Sequence, residues 1–266
     1  MPIASYLCFV VKINSQLKTK KMKSKKLIAS LAIISVILIA GCKKDEPTAA
    51  NPSVIPVQTT TQEPVPLAGA SNLAILAGSA ITNTGATTVT GDLGLSPGTS
   101  IGGFPPGILT GVQHNNDNIA TQAKLDATAA YNDLAGRTST DIVTLSGNIG
   151  GLTLTPGLYK STSSLAVSSG DVTFDAKGDA SAVFIIQIAS SLTTTSGRKV
   201  ILSGGASAAN IFWQVGSSAT FGTTSVFKGT VIAMQSITFN TGATLDGRAL
   251  ARTSGVTMAG NTIVKQ

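Results

Sequence analysis

The chain is poor in the side chains from which most active sites are built. It has a single histidine, His114, in a polar loop beside Asn115, Asn116 and Asp117. One imidazole cannot make a His-rich metal centre, and no Ser/His/Asp set assembles around it. A lone histidine in such a loop reads as a surface residue. Carboxylates are also scarce, twelve in 266 residues. They come one at a time, as at Asp171, Asp175 and Asp179 near Gly-containing corners. Solenoid lyases and hydrolases need clustered carboxylates or a calcium site with a basic partner, and this scatter is a poor match. No catalytic residue, metal site or cofactor is expected. Tyr131, Phe212 and Trp213 read as packing residues rather than as a platform for sugars.

Cysteine is nearly absent too. Cys8 and Cys42 are the only two, and both fall in the amino-terminal segment, which excludes a disulfide scaffold. Lys23, Lys25 and Lys26 precede an apolar run from Leu27 to Ala40, interrupted only by Ser30 and Ser35, which ends in Ile39-Ala40-Gly41-Cys42. A basic start, an apolar stretch of about 14 residues and a small-residue cut site describe a secretory signal; a spanning helix needs about 20. The end of the run resembles a bacterial lipobox, with Ile39 in place of the usual Leu. Cys42 is therefore expected to be lipidated and to become the first mature residue. The Met-Lys-Ser-Lys-Lys at Met22 resembles a true start, which makes 1–21 an upstream extension and 1–41 a removable leader. Lys43-Lys44-Asp45-Glu46 resembles the tag that directs lipoproteins of Bacteroidetes-type bacteria to the outer face of the outer membrane. An exported, lipid-anchored, surface-exposed monomer is expected.

The basic charge belongs mostly to that leader. Seven of the 19 basic residues precede Cys42 and all 12 acidic residues follow it. The mature chain is close to neutral, so the net charge of +7 gives no support to nucleic-acid binding. From Pro47 to about Leu67 the composition is Pro, Thr, Gln, Ala and Val without periodicity, the pattern of an extended tether over 42–70. Residues 71–266 amount to one domain.

What that domain does have is a recurring four-residue frame of small-polar, apolar, Thr-like and apolar residues. It appears at Ser164-Leu165-Ala166-Val167, Ser191-Leu192-Thr193-Thr194, Ser218-Ala219-Thr220-Phe221, Ser236-Ile237-Thr238-Phe239 and Gly255-Val256-Thr257-Met258, spaced by 27, 27, 18 and 19 residues. Side chains alternate across a strand, so each frame buries its apolar pair and shows its Ser and Thr on one surface. A recurrence of this length predicts a solenoid whose coils stack about 4.8 Å apart. The expected outward grid is Ser164, Ala166, Ser191, Thr193, Thr195, Ser218, Thr220, Ser236, Thr238, Asn240 and Thr257, extended by Thr82 and Thr84 in a first coil between Leu73 and Leu95.

Two further patterns complete the expectation. Apolar strands run over 183–188, 210–215 and 230–234. If Ile186, Trp213 and Val231 point inward, Ile185, Phe212 and Ile232 point outward and need a cover. The cover is a helix over about 117–135, capped by Asn116 or Asp117, with Ile119, Ala123, Ala127, Ala130 and Leu134 on its apolar face and Gly136 as its stop. The third set of strands carries Lys199, Lys228 and Arg248 and is expected to face solvent. A Thr-Gly-Ala-Thr motif at 84–87 and 241–244 offers an alternative site at Thr87, Thr241 and Thr244, although its plainer reading is a glycine corner.

Several stretches resemble one known family. They are Ala-Ile-Leu-Ala-Gly-Ser at 74–79, Gly-Asp-Leu-Gly-Leu-Ser-Pro-Gly at 91–98, Gly-Phe-Pro-Pro-Gly at 103–107, Asn-Ile-Phe-Trp-Gln-Val at 210–215 and Leu-Asp-Gly-Arg-Ala-Leu-Ala at 245–251, together with the run 149–159. In this order they resemble the microbial ice-binding proteins of the DUF3494 type. The resemblance implies a mostly β fold, a right-handed triangular β-solenoid of discontinuous coil order with one long helix alongside, which adsorbs to ice, gives thermal hysteresis and inhibits recrystallisation. It also implies that 99–116 is a short version of a capping region. An anchored adhesin or carbohydrate-binding module is the alternative that the sequence leaves open.

Overall fold

The computed structural model describes residues 55–266. The leader, Cys42 and the proposed export tag lie outside the described residues. The fold is mostly β, built of parallel strands with one long helix, and its coils follow the expected three-sided order. Each coil contributes a strand to a face under the helix, then one to the Ser/Thr face, then one to a third face.

The coil order is discontinuous. Strand Leu73–Ala77 pairs in parallel with the end of Thr244–Ala251, Ala80–Thr84 pairs with Val256–Ala259, and Thr88–Thr90 pairs with Thr262–Val264. The first coil therefore sits against the last. A second amino-terminal coil, formed by Asp92–Leu95, Ser100–Gly102 and Ile108–Thr110, stacks on the first. The stretch 73–95, expected as one coil, thus spans a whole coil and the start of the next. Residues 99–116, expected as a short capping region, carry the strands Ser100–Gly102, Ile108–Thr110 and Gln113–Asn115, with Phe104 packed onto the core from the loop between the first two.

The alternation predicted for the apolar strands holds. Ile186, Trp213 and Val231 lie in the solenoid core, whereas Ile185, Phe212 and Ile232 belong to a separate cluster under the helix. Inside the solenoid, a chain of rings runs from Phe184 through Phe174, Trp213, Phe227 and Phe221 to Phe239, with centroids 4.5 to 5.4 Å apart. Each such contact adds about 0.5–1.5 kcal/mol beyond the burial of the rings. The Trp213 indole N–H donates to the Lys228 carbonyl at 3.1 Å, so its one polar atom is satisfied.

Helix α1 spans Asn118–Gly136, and the Asp117 carboxylate caps it by accepting from the Ala120 N–H at 2.8 Å. Its buried face is Ala120, Ala123, Ala127, Ala130, Tyr131 and Leu134. The small residues allow the helix to lie close to the sheet. Ile119, expected on that face, is exposed, because Ala120 takes the buried position in the first turn. Gly136 is the last helical residue, and Arg137 leaves the helix in extended conformation.

Two other expectations are corrected. His114 is buried on strand Gln113–Asn115, with Nδ1 2.8 Å from the Asp117 carboxylate, so it ties the outermost coil to the helix cap. Arg248 does not face solvent. It is buried, with Nε donating to the Ser71 carbonyl at 3.0 Å.

The stretch 55–67 has no regular secondary structure, as expected of a tether, but it is docked against the domain. Asp141 accepts from the amides of Thr59 and Thr60, at 2.6 and 2.9 Å, and the Gln58 side-chain oxygen accepts from Leu158 N–H at 2.8 Å. Val65 and Leu67 are buried with the helix cluster. The close approach requires Gly157, where a Cβ would lie 2.4 Å from the Gln58 side chain and where φ is +144°.

Candidate functional site

The Ser/Thr face is one parallel sheet of eight strands. Its members are Ser100–Gly102, Ala80–Thr84, Val256–Ala259, Ile237–Phe239, Ala219–Phe221, Leu192–Thr194, Leu165–Val167 and Gly147–Asn148. No residue in these strands is charged.

The register aligns the five frames without slippage. Ala166 is opposite Thr193, then Thr220, Thr238, Thr257 and Thr82 follow in successive strands, and the row ends at Gly102. Beneath it, Leu165, Leu192, Ala219, Ile237, Val256 and Ile81 stack in the same register, all essentially buried. Beside these lie Val167, Thr194, Phe221 and Phe239. Thr194 occupies an apolar position of its frame and is buried; its hydroxyl accepts from the Gly222 N–H at 3.0 Å, which closes the neighbouring corner. The outer surface is therefore backed by a continuous layer that fixes its shape.

Three parallel rows result. The first is Ser164, Ser191, Ser218 and Ser236, continued by Gly255. Within it, Ser164 and Ser191 hydroxyls lie 2.8 Å apart and those of Ser218 and Ser236 lie 2.9 Å apart. The middle row is the Thr file just described. The third lies two residues further along each strand and includes Thr195, Asn240 and Thr84, interrupted by Gly222 and Ala259. All thirteen residues expected in the grid are thus on one face. Ser100, which pairs with Ala80, was not anticipated. Its Ser-Ile-Gly triplet keeps the small-polar, apolar start of the frame but loses the Thr that would have marked it.

The alternative corner motifs separate. Gly85 and Gly242 have φ of +82° and +71°, as a corner requires. Thr87 is buried, and its hydroxyl accepts from the Asn261 N–H at 3.0 Å. Thr244 points out on the third face. There it is in register with Val226, Thr262, Thr88 and Ile108. The adjacent row on that face contains Lys228 and Asp246, paired at 3.1 Å.

Among the described residues there is no group of three or more His, Cys, Asp or Glu side chains able to hold a metal. Asp171, Asp175 and Asp179 accept from the backbone N–H groups of Lys199, Lys177 and Ser181, at 2.9 Å in each case, and so serve as corner fasteners. Among the described residues, the large exposed apolar side chains include no aromatic ring, so the face has no sugar-stacking platform.

Comparison with known proteins places the chain among related sequences and folds. A family model described as ice-binding-like matches residues 75–264. An ice-binding protein of Nostoc sp. (strain HG1) is 46% identical over 199 residues, covering 74% of this chain and 72% of that protein. One from Flavobacterium frigoris (strain PS1) is 34% identical and covers 91% of this chain and 99% of its own length. The crystal structure of an ice-binding protein from an Antarctic biological consortium superposes with a TM-score of 0.79 at 74% identity, over 80% of this chain and 96% of that one.

Proposed function

Since the chain belongs to the ice-binding-like family, we propose that it adsorbs to ice through the uncharged Ser/Thr face, the face on which Thr82, Thr84, Ser164, Ala166, Ser191, Thr193, Thr195, Ser218, Thr220, Ser236, Thr238, Asn240 and Thr257 lie. The observation that carries this reading is the unslipped Thr register across a rigid face without charge. Strands place outward side chains about 6.7 Å apart along each coil and about 4.8 Å apart between coils. A fixed grid of hydroxyls and methyls at such spacings orders the water above it, and ordered water of this kind merges with a crystal face. Because the coils are already rigid, little entropy is lost on adsorption. Charged side chains would orient water around themselves and break the layer.

Adsorbed molecules force the ice front to grow as curved surface between them. This lowers the freezing point without a colligative effect and slows recrystallisation. We assign the chain no catalytic role and no cofactor. The lipobox-like end of the leader supports an exported lipoprotein that holds a cell to ice.

The test is freezing hysteresis with crystal-shape microscopy on the parent and on a Thr220→Tyr variant. Thr220 is central in its row, and a bulky ring there lifts the face from the ice. Hysteresis and faceted crystals in the parent, lost in a variant with unchanged circular dichroism, are expected. Activity unchanged by Thr220→Tyr would move the site to the third face, around Thr244, Thr262 and Thr88. A well-folded parent without hysteresis or crystal shaping would overturn ice binding in favour of the adhesin reading.

A further inference from the structure

We infer that ice contact is made by a single file of threonines, Thr193, Thr220, Thr238, Thr257 and Thr82, and that the serines beside it are held in pairs that break the single-coil repeat. This rests on the proposal that the Ser/Thr face adsorbs to ice. The distinction comes from where each hydroxyl's hydrogen bond goes.

The serine row is internally paired. Ser164 and Ser191 bond through their hydroxyls at 2.8 Å, and the Ser191 N–H also points at the Ser164 hydroxyl at 3.3 Å. Ser236 donates to Ser218 at 2.9 Å. The pairs alternate, since no such bond joins Ser191 to Ser218 among the described residues. The row therefore repeats every second coil, about 9.6 Å, and not every coil at about 4.8 Å. In the outer row, the Thr195 hydroxyl turns back to the Val167 and Ser168 carbonyls at 3.4 and 3.3 Å, and Thr84 turns to the Met258 carbonyl at 3.4 Å.

The middle file differs. Among the described residues, no protein group hydrogen-bonds the hydroxyls of Thr193, Thr220, Thr238, Thr257 or Thr82. Each has one donor and two acceptor sites left for water. Each is also β-branched, with few accessible χ1 states on a strand, and is backed by the fully buried layer beneath. These five side chains therefore present a hydroxyl and a methyl in fixed orientation at the single-coil repeat. A lone file constrains an ice lattice along one direction, the solenoid axis. A two-row grid would constrain it along two.

The experiment compares two triple variants in the full-length chain. Thr193, Thr220 and Thr238 are changed to Ala in one, and Ser191, Ser218 and Ser236 are changed to Ala in the other, with melting temperature and circular dichroism as fold controls. The Thr triple is expected to lose about tenfold or more of its affinity for ice, read as ice-affinity partitioning and hysteresis, as removal of central contacts does in other interfaces. The Ser triple is expected to keep at least about half. Ala166→Thr, which lengthens the file by one coil, is expected to raise hysteresis. If either triple fails to fold, the single variants Thr220→Ala and Ser218→Ala give the same contrast. Equal loss in both would overturn the single file while leaving the face as the ice site. No loss in either, with the parent active, would overturn the choice of face itself.

Discussion

Lys124 illustrates a residue whose setting is set by distant partners. It sits half-buried on α1, and its ammonium donates to the Ala251 carbonyl at 3.1 Å. The Arg252 guanidinium lies nearby, 4.4 Å over the ring of Tyr131. Burial first, and the Arg252 charge second, pull the Lys124 pKa from 10.5 down to about 8. The unfolded chain then holds more protons than the native one between about pH 8 and pH 10.5, so native stability rises with pH through that window. Below pH 8 both states are protonated and the cost of the buried charge is present in full. The melting temperature of the parent should therefore gain on that of Lys124→Met as pH goes from 8 to 10, and the variant should be the more stable at pH 7. Parallel curves would mean that Lys124 is as well solvated folded as unfolded. None of this was legible beforehand, because a lysine among helical residues reads as solvated. Arg248 misled for the same reason.

At the scale of elements, the 55–67 strap is the clearest departure from expectation. A Pro/Thr/Gln stretch without periodicity has no apolar face to announce that it docks. It docks through the amides of Thr59 and Thr60, the Gln58 side chain and two isolated apolar residues, Val65 and Leu67, a set with no periodicity to reveal it. The Ser139 hydroxyl, with the Thr60 and Thr59 amides, holds the Asp141 carboxyl well below the usual carboxylate range. The contribution is therefore present above about pH 4 and is lost as pH falls below it. In Asp141→Asn, the amides of Thr59 and Thr60 should exchange hydrogen faster than in the parent at pH 7, and the parent should approach the variant in acid. Unchanged protection would assign the hold to Arg137, which donates to the Pro64 carbonyl at 3.1 Å, and to Gln58. Helix α1, by contrast, was legible almost to the residue, since its alanine spacing and Asp117 cap are local signals.

For the whole molecule, the docked strap limits how far the domain can stand from Cys42. If residues 43–70 were all extended spacer, they would reach about 95 Å, whereas only 43–54 remain outside the described residues, with a reach of about 40 Å. A lipidated Cys42 would then hold the domain within a few nanometres of a membrane surface. Cys42→Ala should shift the protein from the membrane fraction to the soluble fraction while leaving hysteresis per molecule unchanged. A membrane fraction retained in the variant would rule out the lipid anchor.

The frame of small-polar, apolar, Thr and apolar residues determined by itself that there is a solenoid and which side chains point outward, because strand alternation is a local rule. It also determined that the Ser/Thr face is uncharged. Tertiary structure decided the rest. Register across coils is a matter of neighbours 18 to 175 residues apart in sequence, and only their stacking brings Thr82 next to Thr257 and closes the face. The hydroxyl pairing of Ser164 with Ser191 and of Ser218 with Ser236, which sets that row apart from the Thr file, arises between coils and has no counterpart along the chain.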